Sequence, residues 1–190
     1  QESDAGKELL DTLEILYLNP VGSDLIIFCG EERHLVHQNL VCTRSAFFAD
    51  ACSWGDNAQH VQREVILGED PAIVKQIVRY FYYDDYAVDP TWEHSQLEIL
   101  VLTEPRCRAL LFHMHIYALA SKLQIEGLKE LSMDRAKLEL SRDLSHLMLV
   151  FSISGAYSLT DAGSQELRDM VVGVAIKQLH LLLELHNRRE

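Results

Sequence analysis

Residues 23–49 read Ser23-Asp24-Leu25-Ile26-Ile27-Phe28-Cys29-Gly30-Glu31-Glu32-Arg33-His34-Leu35-Val36-His37-Gln38-Asn39-Leu40-Val41-Cys42-Thr43-Arg44-Ser45-Ala46-Phe47-Phe48-Ala49. The apolar run Asp24–Cys29 is too short for a buried helix. Gly30-Glu31-Glu32 turns it back into Arg33–Val36, so the first half predicts a β-hairpin. Apolar spacing then lengthens, and two short helices follow, over Gln38–Thr43 and Ser45–Cys52. Ser45 stands where the second helix needs an N-cap. Val36, Leu40, Phe47 and Phe48 are placed to fill a small core between hairpin and helices. Asp24 and His37 sit at the two ends of the hairpin, where hydrogen bonds would fix the approach to the helix pair; burying either unpaired would be costly.

Upstream, Lys7–Leu18 reads as an amphipathic helix carrying Leu9, Leu10, Leu13 and Leu16, broken by Asn19-Pro20-Val21-Gly22. Downstream, Ser53–Gln62 is polar and reads as a loop, and Arg63–Leu67 alternates like a strand. Asp70-Pro71 is a helix start, with Asp70 as N-cap and Pro71 at the first helical position. That helix carries Ile73, Val74, Ile77, Val78 and Phe81 and ends near the acid pair Asp84-Asp85, which reads as a solvated turn. Ala87–Arg106 is bounded by Pro90 and Pro105, with Leu97–Thr103 as a candidate added strand. Helices are then expected over Leu110–Lys122, Ile125–Glu139, Asp143–Tyr157 and Ser164–His186, with Gly127 marking a turn or a close approach. Strands interleaved with helix pairs, then a helical tail, predict an α+β domain: a small β-sheet flanked by helices.

These residues resemble the BTB/POZ family. Ser23-Asp24-Leu25-Ile26-Ile27, then Val36-His37 with Leu40, then Arg44-Ser45-Ala46-Phe47-Phe48 follow its S-D-L-x-I, V-H-x-x-L and R-S-x-F-F elements. Tyr80-Phe81-Tyr82 to Asp85-Tyr86 is similar to its Y-L-Y corner. Tyr117–Leu123 with Ile125-Glu126-Gly127-Leu128-Lys129 is similar to its Y-A-L-A-D-K-Y-x-I-x-G-L-K stretch. Each piece alone is weak, but together in this order they are specific; the match runs from about Asp24 to Lys137, close to two thirds of the chain. The flavour is that of the filamentous-fungal branch, where helical tails recur.

The resemblance implies a BTB/POZ fold over 23–140 with an insertion at about 87–105, an N-terminal helix over 1–22 and a helical extension over 141–190. Asp24, His37, Leu40, Arg44, Ser45, Phe47 and Phe48 are its fold signature. It implies protein partners and a homodimer, with Leu9, Leu10, Leu13 and Leu16 packing on a second subunit. In members that recruit a cullin scaffold of a ubiquitin ligase, an apolar-x-Glu element follows the second short helix; here those positions are Trp54-Gly55-Asp56. Trp54 is either tucked into the core or an exposed anchor. Many nuclear members have a basic residue after the hairpin histidine, where this chain has Gln38. The alternative is a homo-oligomerisation module of a regulatory or transcription-associated protein, without a cullin.

Bulk properties narrow the classes further. The chain has 190 residues, of which 48% are hydrophobic, so a sizeable core is expected. A net charge of −12 repels phosphate backbones and argues against nucleic acid. No apolar run approaches the roughly 20 residues that span a bilayer, and no signal peptide is recognised. The four cysteines, Cys29, Cys42, Cys52 and Cys107, form no CxxC pair; Cys42 and Cys52 read as small buried hydrophobes. An intracellular location, nuclear or cytoplasmic, is expected. No metal or cofactor is expected: His113 and His115 are two apart on a helix and diverge, and His180 and His186 share no face. Ser45 lacks a nucleophile elbow, so no catalytic residue is assigned and the chain is not expected to be an enzyme.

Overall fold

The apolar run that opens the hairpin alternates in depth: Leu25, Ile27 and Cys29 are buried, while Ile26 and Phe28 are half-buried on the opposite face. This is β1 (Leu25–Cys29). Gly30, at φ +58°, takes the first of two turn positions, where a glycine adopts the left-handed backbone without strain. The chain returns as β2 (Glu32–Val36), antiparallel to β1 from Leu25↔Val36 to Cys29↔Glu32. The computed structural model describes residues 4–53, 63–90, 92, 105–141, 146–159 and 165–187.

The third strand, β3 (Arg63–Leu67), lies parallel to β1 from Leu25↔Arg63 to Cys29↔Leu67, giving the order β2-β1-β3. A parallel neighbour requires a crossover. Here it contains α2 (Gln38–Arg44) and α3 (Ala46–Ser53). Before the sheet comes α1 (Asp4–Leu18), three residues longer at its start than the apolar spacing predicts. After it comes α4 (Pro71–Tyr83), whose first turn has the expected cap: the Asp70 carboxylate accepts from Ala72 N–H at 2.9 Å. The remaining helices are α5 (Pro105–Lys122), α6 (Glu126–Ser141), α7 (His146–Leu159) and α8 (Gln165–Asn187). Pro105, expected as a boundary outside the helix, is instead the first residue of α5, where its missing N–H costs nothing.

The chain divides into two compact units, residues 1–89 with 119–129, and residues 90–118 with 130–190. In the first, Leu25, Ile27, Val36, Val41, Phe48, Ile73, Val74, Ile77 and Phe81 form a core between the sheet and α2, α3 and α4. Phe48 and Phe81 meet edge to face with ring centroids 6.0 Å apart. In the second, Leu110, Leu111, Phe112, Met114 and Ile116 of α5 are all buried, as are Ala136 and Leu140 of α6, Ala156 of α7, and Leu167 and Val171 of α8. Trp92 packs edge-on to Phe112 and His115 at 5.2 and 5.1 Å. Gly155 of α7 gives close access to α5, since a Cβ there would lie 2.9 Å from Leu111 Cδ2. The candidate strand Leu97–Thr103 lies outside the described residues.

Candidate functional site: a groove at the helix ends

Within the first unit, the ends of two helices, the start of a third and the turn between α5 and α6 converge on a groove of about 580 Å³. Cys42, Thr43 and Arg44 come from the end of α2, Ala46 and Ala49 from α3, and Tyr80 and Asp84 from the end of α4. Gln124, Ile125, Glu126 and Gly127 come from the α5–α6 turn. Each wall follows from local chemistry.

Ser45 separates the two short helices. Its hydroxyl accepts from Phe48 N–H at 3.2 Å, the expected N-cap bond, and donates to Leu123 C=O at 2.6 Å. One buried side chain therefore starts α3 and ties it to the turn that follows α5. That turn is a Schellman closure: Ile125 N–H reaches Ala120 C=O at 2.9 Å and Gln124 N–H reaches Ser121 C=O at 3.2 Å. The left-handed residue it requires is Gln124, at φ +55°, where glycine is usual. A side chain in that conformation costs about 1–2 kcal/mol. Gly127 then fulfils the expected close approach: a Cβ at this position would collide with the Tyr80 hydroxyl.

Opposite the turn, α4 ends on Asp84, also left-handed at φ +51°. A carboxylate at a helix C-terminus meets the negative end of the dipole. The Arg44 guanidinium, itself at the end of α2, offsets this by gripping both Asp84 oxygens, with the Nη2 contact at 3.4 Å. Asp84 is a solvated turn residue, as its sequence suggests, and also one half of an ion pair forty residues away in the chain. Adjacent doublets of acids give no signal for such a partner. Next to the ion pair, burial pushes the Cys42 thiol up to about 12, with the neighbouring Cys52 thiol adding to the shift. Cys42 is half-buried and Cys52 buried, and neither is in a disulfide.

The other signature residues stabilise this frame from the hairpin side. Asp24 and His37 use different partners. The Asp24 carboxylate accepts from Gln38 N–H at 2.7 Å and so serves as the cap of α2, because His37, in the N-cap position, makes no side-chain cap bond. Tyr82 OH accepts from His37 N–H at 3.1 Å and lies 2.9 Å from His37 Nδ1, while His37 Nε2 lies 3.2 Å from Val21 C=O. Since a carbonyl only accepts, the network assigns the proton to Nε2 and has the phenol donating to Nδ1. Burial raises the Tyr82 phenol above its ordinary pKa, which keeps the O–H available as a donor. Tyr82 falls in the Tyr80-Phe81-Tyr82 motif, but periodicity gives it no role. Leu40 and Phe47 are half-buried and Phe48 is fully buried.

Two other expected surfaces stand apart from the groove. On α1, Leu13 and Leu16 are half-buried and Leu9 and Leu10 are 61% and 45% exposed. Tyr17 anchors this helix on Tyr82 and Tyr83 of α4, with ring centroids 5.5 and 5.3 Å apart. Trp54, Gly55 and Asp56 lie outside the described residues. Among the described residues no three His, Cys, Asp or Glu side chains gather as a metal site, and no helix is long and apolar enough to cross a membrane.

Comparison with known proteins gives the fold. The chain matches no protein-family model and no curated protein. Its three-stranded sheet with surrounding helices is a BTB-like α+β fold. Among solved structures it is similar to the BTB domain of zebrafish PATZ1, at a TM-score of 0.51 and 18% identity, over 73% of this chain and 96% of that one.

Proposed function

We propose that this chain is a BTB-type protein-interaction module that pairs with a second copy through α1 and recruits another protein, and that it is not an enzyme. The observation that carries the reading is the state of α1. Over residues 6–18 no side chain is fully buried, and Leu9, Leu10, Ile15 and Leu18 are exposed while Leu13 and Leu16 are half-buried. An apolar helix left this bare is one that a second subunit covers. The BTB-like fold supports the same use, and the PATZ1 likeness is to a domain of that kind. In this reading the BTB core spans 23–140 and the helical extension 141–190, the domain is of the filamentous-fungal type, and its home is intracellular.

A cullin-type scaffold is the leading partner class, with Trp54 and Asp56 as the contact. Gln38 favours the second reading, a homo-oligomerisation module without a cullin. Against a hydrolase, both bonds of the Ser45 hydroxyl go to backbone groups, one accepted and one donated.

Sedimentation equilibrium tests the core of the proposal. The wild-type chain is expected to be a dimer, and Leu9→Asp with Leu10→Asp a folded monomer with unchanged circular dichroism. A wild-type monomer, or a dimer indifferent to these substitutions, overturns it. Pull-down with a cullin N-terminal fragment, lost on Trp54→Ala with Asp56→Ala, separates the two partner readings.

A further inference from the structure

The face of the sheet turned away from the core carries a pattern that the α1 reading does not use. On this face the cross-strand register aligns Arg33, Phe28 and Ile66 in one row and Leu35, Ile26 and Glu64 in the next. Ile66 is 79% exposed and Leu35 37%, Arg33 and Glu64 are exposed, and Ile26 and Phe28 are half-buried. Four apolar side chains thus sit with one cation and one anion. The charges occupy one diagonal of the patch, and Leu35 and Ile66 occupy the other.

We propose that this face is a second self-association surface, and that its partner is the same face of another copy. The argument is geometric. Strands are roughly 4.8 Å apart, and same-face residues along a strand about 6.8 Å apart, so the two rows and outer strands form a rectangular frame of about 9.6 by 6.8 Å. Two sheets stacked face to face across a two-fold axis have few ways to align it. An axis along the strands sets Arg33 over Ile66 of the second copy. An axis across the strands sets it over Leu35. An axis along the Arg33–Glu64 diagonal sets like charges over each other. An axis along the Leu35–Ile66 diagonal sets Arg33 over Glu64 twice and leaves Leu35 on Leu35 and Ile66 on Ile66. Only this last arrangement brings every charge to an opposite charge and every apolar group to an apolar one, with the long Arg33 and Glu64 side chains spanning a corner offset of about 4 Å and the strands crossing at about 70°.

Charges on exposed strands also serve to prevent association. A protective face gains most from one sign of charge, which repels itself in every orientation. Here the signs are opposite and diagonal, and the most exposed residue between them is isoleucine. The patch is smaller than the roughly 800 Å² per partner of a stable interface. The contact is therefore weak, concentration-dependent and strengthened wherever copies are already held together.

Sedimentation of the full chain over a wide concentration range tests this, run in the Leu9→Asp/Leu10→Asp background so that pairing through α1 is read separately. A weak, salt-sensitive association step is expected. Ile66→Arg should abolish it. Arg33→Glu or Glu64→Arg alone should weaken it at least about tenfold. The double variant Arg33→Glu/Glu64→Arg should restore it to within about threefold of the parent. All three positions are solvent-facing, so the fold survives each change, and circular dichroism verifies it. Absence of the step, indifference to Ile66→Arg, or a double variant as weak as either single one overturns the proposal. A tight dimer that persists in the background variant at low concentration would count against the α1 reading and not against this one.

Discussion

The two compact units are held by different means. The first is fastened at points. Asp24 caps α2 from across the hairpin, Tyr82 fixes His37, Ser45 joins α3 to the turn after α5, Asp70 caps α4, and Arg44 grips Asp84. The second is chiefly filled. α5 buries Leu110, Leu111, Phe112, His113 and Met114 in succession, and Gly155 and Trp92 pack against its residues. Its polar ties include Tyr117 OH to the Glu166 carboxylate at 3.0 Å and Arg106 to Glu139 C=O at 2.9 Å. Point fasteners leave an ordered array of polar residues in the sequence; filling leaves only hydrophobicity.

If apolar filling matters equally in both units, removing one ring from each core should cost the same. Phe48 and Phe112 are both fully buried and both touch another aromatic ring. Phe48→Ala and Phe112→Ala should each lose about 3–5 kcal/mol in urea unfolding. A loss under about 1 kcal/mol at either site would mean that its unit does not depend on that ring.

This contrast also explains what was legible in the chain. The hairpin, the helix pair, β3 and the Asp70-Pro71 start could be read because turn residues and caps sit at fixed offsets from apolar runs. Ser45 was legible as a cap for the same reason, and Gly127 as a close approach because few other roles suit a glycine just inside a helix. The groove itself was not legible. Its walls, Arg44, Asp84 and Gln124, come from three stretches that only tertiary packing unites. Gln124 takes a left-handed conformation that its residue type does not advertise. The start of α5 was placed late because its first turn, Pro105-Arg106-Cys107-Arg108, carries polar residues on two of its four positions and no apolar stripe.

His113 is where filling has a chemical consequence. Its ring is 5% exposed on α5, and burial, with Arg135 adding, pushes its pKa down to about 4. Above the ordinary histidine value of about 6.5, both folded and unfolded chains hold it neutral, and its contribution is complete. As pH falls below that value the unfolded chain takes up a proton that the folded one refuses. Stability should drop by about 1.4 kcal/mol per pH unit and reach a loss of roughly 3 kcal/mol near pH 4. Urea midpoints measured between pH 7 and 4 check this. In His113→Gln that part of the slope should vanish, and an unchanged slope would assign the acid sensitivity to other groups.

The smallest of these effects tests the fasteners most directly. Ser45→Ala removes little volume but leaves Phe48 N–H without its cap and the buried Leu123 carbonyl without its 2.6 Å donor. A lost cap costs about 1 kcal/mol, and an unsatisfied buried acceptor about 1 kcal/mol or more, so at least about 2 kcal/mol is expected in total. Ser45→Thr keeps the hydroxyl and should retain most of that stability. If Ala and Thr behave alike, the site is governed by packing, and the first unit is filled in the same way as the second. If Thr is well above Ala, the hydroxyl itself joins α3 to the α5–α6 turn. The groove between them then keeps its shape because of one buried polar side chain and not because of the surrounding apolar volume.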